Sequence, residues 1–270
     1  MKNSLLLALV ALLALGSAAL AADPPAPTAP AAAHLPTLFL IGDSTVNNSG
    51  KGLQGWGKPF IKLFDPAKIT VLNRARGGRS SRTFLTEGLW AAVLADMKPG
   101  DSVLMQFGHN DGGSPKTSYR ASLKGNGDET QDVVNPQTKK METIHTYGWY
   151  LRQFIAGAKA KGATPIVLSM IPRDDWGSDH KVLRADTGYG LWAKETAQQG
   201  GAQFINLNGI IADKYDALGQ DKVKTFFPFE HTHTSPEGAA LNASCVAEGI
   251  RQLPDCPLKD GLLPTATPTP

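Results

Sequence analysis

Five short apolar segments, separated by longer amphipathic ones, constrain the fold of this 270-residue chain more than any other feature. They span residues 37–41, 69–72, 102–107, 165–170 and 203–207. Each is almost continuously apolar rather than alternating, which is typical of parallel strands covered on both faces. Helical patterns occur at about 80–97, 145–161, 188–199, 209–217 and 235–251. This alternation of strand and helix predicts an α/β protein, a three-layer α/β/α sandwich with a five-stranded parallel sheet.

The first residues of the chain are typical of a signal peptide, which we place at residues 1–21. Lys2 precedes an apolar run from Leu5 to Leu15, and Ala19 to Ala21 offers small residues for cleavage. The run is shorter than the roughly 20 apolar residues that span a bilayer, so an uncleaved anchor is the less favoured alternative. We therefore expect a secreted or periplasmic protein that is not held at a membrane after signal cleavage.

The remaining chain divides by composition into three parts. Residues 22–34 are mostly Pro and Ala, which is typical of a linker. Residues 35–256 carry all the predicted strands and helices and form the expected folded domain. Residues 257–270 are expected to be a disordered tail.

The charge balance and the two cysteines exclude several classes of protein. Lys and Arg number 27 against 24 Asp and Glu, which is too balanced for a dedicated nucleic-acid binder. Two cysteines exclude a disulfide-dense scaffold and a cysteine-based zinc or iron–sulfur site. In an exported chain they allow one disulfide, Cys245–Cys256, if the chain turns back at Pro254. The alternative is two separate thiols.

Polar residues follow the predicted strands at their carboxyl ends, where parallel α/β sheets bind ligands. From amino to carboxyl terminus they are Ser44, Gly78, Asn110, Glu230 and His233. Acyl transfer needs a nucleophile, a base and donors for an oxyanion. Ser44 can supply the hydroxyl, His233 can act as the base, and Glu230 can orient the imidazole. The N–H groups of Ser44 and Gly78 and the Asn110 amide can bind the oxyanion.

Four short blocks carry a family resemblance: GDST at 42–45, RGGRS at 76–80, GHND at 108–111 and EHTH at 230–233. In this order the chain resembles the SGNH (GDSL-type) hydrolases over residues 36–250. Finer matches are GWG at 55–57, GRSSRTF at 78–84, LKGNG at 123–127 and HTYGWYLR at 145–152. These resemble the rhamnogalacturonan acetylesterase branch, carbohydrate esterase family 12.

The resemblance implies a flavodoxin-like SGNH hydrolase fold and a serine esterase that needs no metal or other cofactor. It implies that an acetylated pectic polysaccharide is the substrate, and it carries the nucleophile, base and acid onto Ser44, His233 and Glu230. It carries the oxyanion hole onto Ser44, Gly78 and Asn110. That branch usually has Asp where this chain has Glu230, so either Glu230 reaches the imidazole or another group orients it. Two alternatives stay open: an esterase of another acetylated glycan such as xylan, and a non-catalytic carbohydrate-binding relative.

Four residues near the rim of the sheet are candidates for substrate contacts: Arg76, Arg82, Trp56 and Trp176. The arginines can attract uronate carboxylates or, alternatively, form ion pairs that stiffen the turn. The tryptophans lie in predicted loops and can stack on sugar rings. His231 and His233 would share one face of a strand, but no third metal ligand is spaced nearby. The polar, Gly-rich segment 112–142 is expected to be a functional loop over the site.

Overall fold

A computed structural model describes residues 35–264 of the chain. The predicted signal peptide and linker, and residues 265–270 of the tail, lie outside the described residues. In chain order the strands of the described part are β1 (Thr37–Gly42), β2 (Thr70–Asn73), β3 (Ser102–Gln106), β4 (Thr130–Val134), β5 (Met141–His145), β6 (Thr164–Leu168) and β7 (Gln203–Ile205).

Five of these strands form a parallel sheet in the order β2-β1-β3-β6-β7. This is the flavodoxin-like strand order, in which the chain changes direction across the sheet between β1 and β3. The predicted α/β fold with a five-stranded parallel sheet is therefore confirmed. β4 and β5 pair with each other as a separate antiparallel hairpin.

The helices of the described part are α1 (Gly57–Ile61), α2 (Ser81–Thr86), α3 (Leu89–Asp96), α4 (Tyr147–Ala160), α5 (Tyr189–Gly200), α6 (Leu207–Leu218), α7 (Gln220–Lys224) and α8 (Pro236–Gln252). A 3-10 turn follows at Lys259–Gly261. None of these helices is long and apolar enough to cross a membrane.

Alternate residues of β1 enter two separate apolar cores, one on each face of the sheet. Leu38 and Leu40 belong to the core shared with α1, α6, α7 and α8. Phe39 and Ile41 belong to the core shared with α2, α3, α4 and α5. Because side chains alternate across a strand, an almost continuously apolar segment covers both faces at once. The result is the predicted three-layer arrangement.

The predicted helix at 80–97 is two helices, α2 and α3, interrupted at Gly88. Gly88 has φ of 76°, a left-handed conformation that side chains disfavour and glycine adopts freely. The predicted loop 112–142 also differs, because the β4–β5 hairpin begins inside it. Only Val133 and Ile144 of its two strands are buried, so the polar sequence of the strands carries little strand signal. The helices α1 and α7 were not predicted, because five residues are too few to show an amphipathic pattern.

The packed part of the chain extends beyond Cys256, where we expected the domain to end. Leu258 is buried, and Leu262 pairs with Phe64 and packs on the core. The Leu263 N–H donates to the Leu63 carbonyl at 2.9 Å. Residues 257–264 are therefore ordered by apolar contacts that the assignment to a disordered tail overlooked.

The predicted disulfide is absent, because Cys245 and Cys256 are both buried free thiols. Cys245 lies two turns before the end of α8, about 10 Å along the helix axis. A bond would require the chain to fold back over that distance within residues 253–256, and the chain instead continues into the 3-10 turn. Burial raises the pKa of the Cys245 thiol to about 11 and keeps it protonated.

Candidate active site

The candidate site lies at the carboxyl edge of the sheet, where β1 and β3 are neighbours. Ser44 follows β1 and Asn110 follows β3, so both lie at the point where the strand order reverses. The segment 230–233 comes from between α7 and α8. Two backbone hydrogen bonds attach this segment and the residue after it to the rim. The Gln54 N–H donates to the Thr234 carbonyl at 2.8 Å, and the Asp174 N–H donates to the His231 carbonyl at 2.8 Å.

Ser44, His233 and Glu230 form one continuous line of hydrogen bonds. Ser44 Oγ lies 2.6 Å from His233 Nε2, and His233 Nδ1 lies 2.7 Å from Glu230 Oε1. A carboxylate only accepts hydrogen bonds, so Glu230 selects the ring form with the proton on Nδ1. His233 Nε2 is then free to accept the Ser44 proton. The sequence-predicted nucleophile, base and acid are thus brought together.

Glu230 reaches the imidazole because its carboxylate also organises the turn that carries His233. The N–H groups of Thr232 and His233 donate to its two oxygens at 2.9 and 2.6 Å. Partial burial opposes ionisation, but the hydrogen bonds from His233 and Thr232 outweigh it and lower the pKa of Glu230. The carboxylate is therefore available to stabilise an imidazolium. The longer side chain of Glu relative to Asp is accommodated by this turn.

Two backbone N–H groups at the site are free to receive a ligand oxygen. Neither the Ser44 nor the Gly78 N–H has a hydrogen-bond acceptor within residues 35–264. Gly78 has φ of 77°, and a Cβ built there would meet open space. Glycine is needed at this position for its left-handed backbone rather than for close packing.

The Asn110 side chain is held at both ends of its amide. Its Nδ2 donates to the Arg79 carbonyl at 3.0 Å, and its Oδ1 accepts from Arg120 Nη1 at 2.8 Å. The arginine donor fixes which end of the amide is oxygen. One Nδ2 hydrogen remains for a ligand. Arg120 lies in the polar segment 112–142, and nothing in the sequence distinguished it from the other cations of that segment.

A fully buried polar layer supports the turn that carries Ser44. Asp43 accepts from the Thr45 N–H and hydroxyl at 2.8 and 2.7 Å. The Gln106 amide of β3 donates to the same hydroxyl at 2.6 Å and accepts from Trp56 Nε1 at 2.8 Å. Burial raises the pKa of Asp43 to about 6, partly offset by the hydrogen bonds from Thr45. These bonds tie the β1 turn to β3.

Asp111 performs a similar task at the start of α2. It is fully buried and accepts from the N–H of Ser81 at 3.1 Å and from the Ser81 hydroxyl. Burial raises the pKa of Asp111 to about 7 despite these hydrogen bonds. Asp43 and Asp111 both lie in the short blocks that carry the family resemblance. The sequence did not reveal that they are buried, because burial depends on how the strand ends pack.

The structure contradicts two predicted substrate contacts, Arg82 and Trp56. Arg82 is completely buried and makes two hydrogen bonds to Glu142, at 2.8 and 2.6 Å, and one to the Ala121 carbonyl. Trp56 is 1% exposed and binds Gln106. Both predictions were wrong because the side chains point into the protein from α2 and from the start of α1.

The other two predicted contacts are more accessible. Arg76 is exposed, and its guanidinium has no hydrogen-bond or ion-pair partner within the described part of the chain. Trp176 is half-buried and donates from Nε1 to Asp174 at 2.7 Å. Arg79 instead forms an ion pair with Glu87 at 2.8 Å, which stiffens the Gly-rich turn. Arg76 and Trp176 remain predicted substrate contacts.

The other histidines of the rim have different surroundings. His231 Nδ1 lies 2.8 Å from Asp175 Oδ1. Both ring nitrogens of His109 are buried, and burial lowers its pKa to about 3, so the ring is neutral. Over residues 35–264, no group of three or more His, Cys, Asp and Glu side chains is arranged to hold a metal ion.

Comparisons with known proteins identify the family of the chain. The model of the GDSL-like Lipase/Acylhydrolase family matches residues 40–241. The rhamnogalacturonan acetylesterase of Emericella nidulans is 33% identical over 215 residues, covering 79% of this chain and 84% of the relative. A probable rhamnogalacturonan acetylesterase of Bacillus subtilis is 33% identical over 233 residues, covering 84% and 97%.

A solved structure supports the fold. The crystal structure of a Bacillus subtilis protein designated YXIM matches with a TM-score of 0.66 at 23% identity. The match covers 81% of this chain but 57% of that chain. At this identity the likeness concerns the fold alone.

Proposed function

Because the chain belongs to the GDSL-like lipase/acylhydrolase family, we propose that it is a serine esterase that removes acetyl groups from rhamnogalacturonan. The protein is a carboxylic ester hydrolase. The observation that carries the mechanism is the line of hydrogen bonds from Ser44 through His233 to Glu230. The pectic substrate is supported by the relatives named for that activity, which match over most of both chains.

In the first half of the reaction, Ser44 Oγ attacks the acetyl carbonyl carbon while His233 Nε2 takes its proton. Glu230 stabilises the imidazolium that forms and keeps the ring oriented. The negative charge that develops on the carbonyl oxygen is bound by the N–H groups of Ser44 and Gly78 and by the free Asn110 amide hydrogen. The bond to the sugar oxygen then breaks, and His233 returns the proton to that oxygen.

The second half of the reaction repeats these steps with water. The acetyl group is now an ester of Ser44, and His233 Nε2 removes a proton from a water molecule that attacks the acetyl carbon. The same three donors bind the second oxyanion. The bond to Ser44 Oγ breaks, Ser44 recovers its proton from His233, and acetate leaves.

Arg120 acts in this scheme as a positioning residue. By donating to Asn110 Oδ1 at 2.8 Å, it keeps the amide nitrogen, and not the oxygen, toward the oxyanion. Without it, only the hydrogen bond to the Arg79 carbonyl opposes a rotation of the amide that would present its carbonyl oxygen to a negative charge.

Acetate release from acetylated rhamnogalacturonan and from acetylated xylan tests the proposed substrate. We expect a higher kcat/KM on the pectic polymer. A higher value on xylan would keep the mechanism and contradict the substrate. Binding of either polymer without acetate release would identify a carbohydrate-binding relative and contradict the esterase assignment.

We also propose that the protein is exported. The support is the positively charged start at Lys2 followed by the apolar run from Leu5 to Leu15. Sequencing the amino terminus of protein recovered outside the cytoplasm tests this. A mature chain that begins at Ala22 is the expected result, and full-length protein retained in the cytoplasm would contradict it.

A further inference from the structure

A cavity of about 310 Å³ lies between the end of α2 and the β4–β5 hairpin. We call it the hairpin cavity and define it by Thr86, Glu87, Tyr119, Gln137, Lys140 and Glu142. Nine of the ten residues that line it carry a hydroxyl, amide or charged group. The volume falls at the small end of the range for ligand sites and fits a single sugar unit better than an extended chain.

Two short connections join the hairpin cavity to the oxyanion residue Asn110. Glu87 in its wall accepts from Arg79 Nε at 2.8 Å, and the Arg79 carbonyl accepts from Asn110 at 3.0 Å. On the other side, Tyr119 in the wall directly precedes Arg120, which binds Asn110 at 2.8 Å. The cavity is therefore linked to the oxyanion side of the active site through Arg79 and through the Tyr119–Arg120 segment.

The charges in the hairpin cavity favour an anionic ligand. Its two carboxylates are already neutralised: Glu87 pairs with Arg79 at 2.8 Å and Glu142 pairs with buried Arg82 at 2.6 Å. The Lys140 ammonium has no carboxylate partner within residues 35–264. A positive charge surrounded by hydroxyl and amide groups is suited to a hydroxylated ligand that carries a carboxylate.

We propose that the hairpin cavity binds the galacturonate unit that is nearest, along the same pectic chain, to the unit whose acetyl ester lies at Ser44. Lys140 pairs with the carboxylate, Gln137 and Thr86 bond to ring hydroxyls, and the Tyr119 ring offers a flat face to the sugar. This inference rests on the proposed function, since one polymer must reach both places. It explains why a polar hairpin is built onto this rim.

The test compares two neighbouring lysines. Lys140 lines the cavity, whereas Lys139 has the same charge, is exposed and does not line it. The readout is kcat/KM on acetylated rhamnogalacturonan divided by kcat/KM on acetylated xylan, which is the less charged polymer. We expect Lys140→Met to lower this ratio about fivefold, through KM on the pectic polymer, as for a partly exposed ion pair. Lys139→Met should change it by less than about twofold.

A second measurement does not depend on turnover. Calorimetric titration of Ser44→Ala protein with deacetylated rhamnogalacturonan oligosaccharides should show binding that Lys140→Met weakens about fivefold and Lys139→Met leaves in place. Equal losses in the two lysine variants would indicate general attraction of a polyanion and overturn the site. Unchanged binding in Lys140→Met would also overturn it.

These experiments can contradict the uronate site without contradicting the proposed function, and the reverse. If the wild-type protein releases acetate only from xylan, the pectic substrate is contradicted, whatever the lysine variants do. If it prefers the pectic polymer and Lys140→Met keeps that preference, the proposed function stands and the hairpin cavity is not a uronate site.

Discussion

Two polar layers lie at the carboxyl edge of the sheet, and they differ in their access to water. In the upper layer Ser44 and His233 are half-buried, Glu230 is exposed, and their hydrogen bonds join one to the next. In the lower layer Asp43 and Asp111 are completely buried and bond to the backbone and hydroxyls around them. The residues of the upper layer can contact a substrate. The residues of the lower layer cannot, and they instead fix the backbone that carries the upper layer.

The lower layer costs stability, and this cost indicates what it is for. Burying a carboxyl group is unfavourable unless hydrogen bonds compensate, which is why the pKa values of Asp43 and Asp111 are raised. In return, Asp43 fixes the turn after β1 and Asp111 fixes the start of α2. We therefore expect substitutions in the two layers to affect different measurements, activity for the upper and stability for the lower.

A large effect on activity with little effect on stability is expected at Asn110, a partly exposed oxyanion residue that we count with the upper layer. Asn110→Ala removes an oxyanion donor and should lower kcat about 100- to 1,000-fold. Because Asn110 is partly exposed, the melting temperature should change little. Steady-state kinetics and a thermal melt check both parts. A change in kcat below about threefold would refute the role of Asn110.

Arg82 tests the expectation that a buried residue affects stability and not activity. It is buried, although the sequence predicted that it would touch substrate. Arg82→Met leaves the Ala121 carbonyl without its side-chain donor and leaves Glu142 with a hydrogen bond from Asn135 only. We expect the free energy of unfolding to fall by about 3 kcal/mol, measured by urea denaturation. Unchanged stability together with a raised KM on the pectic polymer would restore Arg82 as a substrate contact.

The pH dependence of stability distinguishes the buried carboxyl of Asp111 from an exposed one. Between about pH 4 and the folded pKa of about 7, the folded protein holds a proton that the unfolded chain releases. Raising the pH through this window therefore favours unfolding. Wild-type stability relative to Asp111→Asn should fall on the order of 4 kcal/mol across it.

Urea denaturation of both proteins from pH 4 to 8 measures this difference. Other titrating groups are present in both proteins, so their contributions largely cancel. Parallel stability curves would contradict a raised pKa at Asp111.

The smallest of these effects on kcat is expected at Arg120, which hydrogen-bonds to Asn110. Arg120→Met should lower kcat about tenfold with little change in KM, because the residue acts through Asn110 and not on bound substrate. In the Asn110→Ala background the same substitution should have no further effect. Arg120→Lys should recover part of the loss. Additive losses in the double variant would show that Arg120 does not act by positioning Asn110.

The upper layer was largely predictable from sequence, and the lower layer was not. Ser44, Asn110 and His233 stand in short blocks near the ends of apolar segments or next to helix starts, where the topology of a parallel sheet brings them together. The sheet itself was predictable because its strands are buried on both faces. Glu230 was predictable in position, but its reach to the imidazole depends on a turn that only the structure shows.

The failures concern side-chain direction. Arg82 and Trp56 lie near the rim in sequence, yet which way each points is decided by packing of α2 and α1 against the sheet. Arg120 lies in a polar segment with several other cations, so no pattern could single it out. The distance between Cys245 and Cys256 depends on the path of the chain after α8, which two cysteines in a sequence do not specify.

The most direct test of the central claim is acetate release from acetylated rhamnogalacturonan by the wild-type protein and by Ser44→Ala. Ser44 Oγ is the only atom of the upper layer proposed to form a covalent bond with the acetyl group. The account predicts a loss of at least about 10,000-fold in kcat with an unchanged melting temperature. Acetate release by Ser44→Ala within about tenfold of the wild-type rate would contradict it.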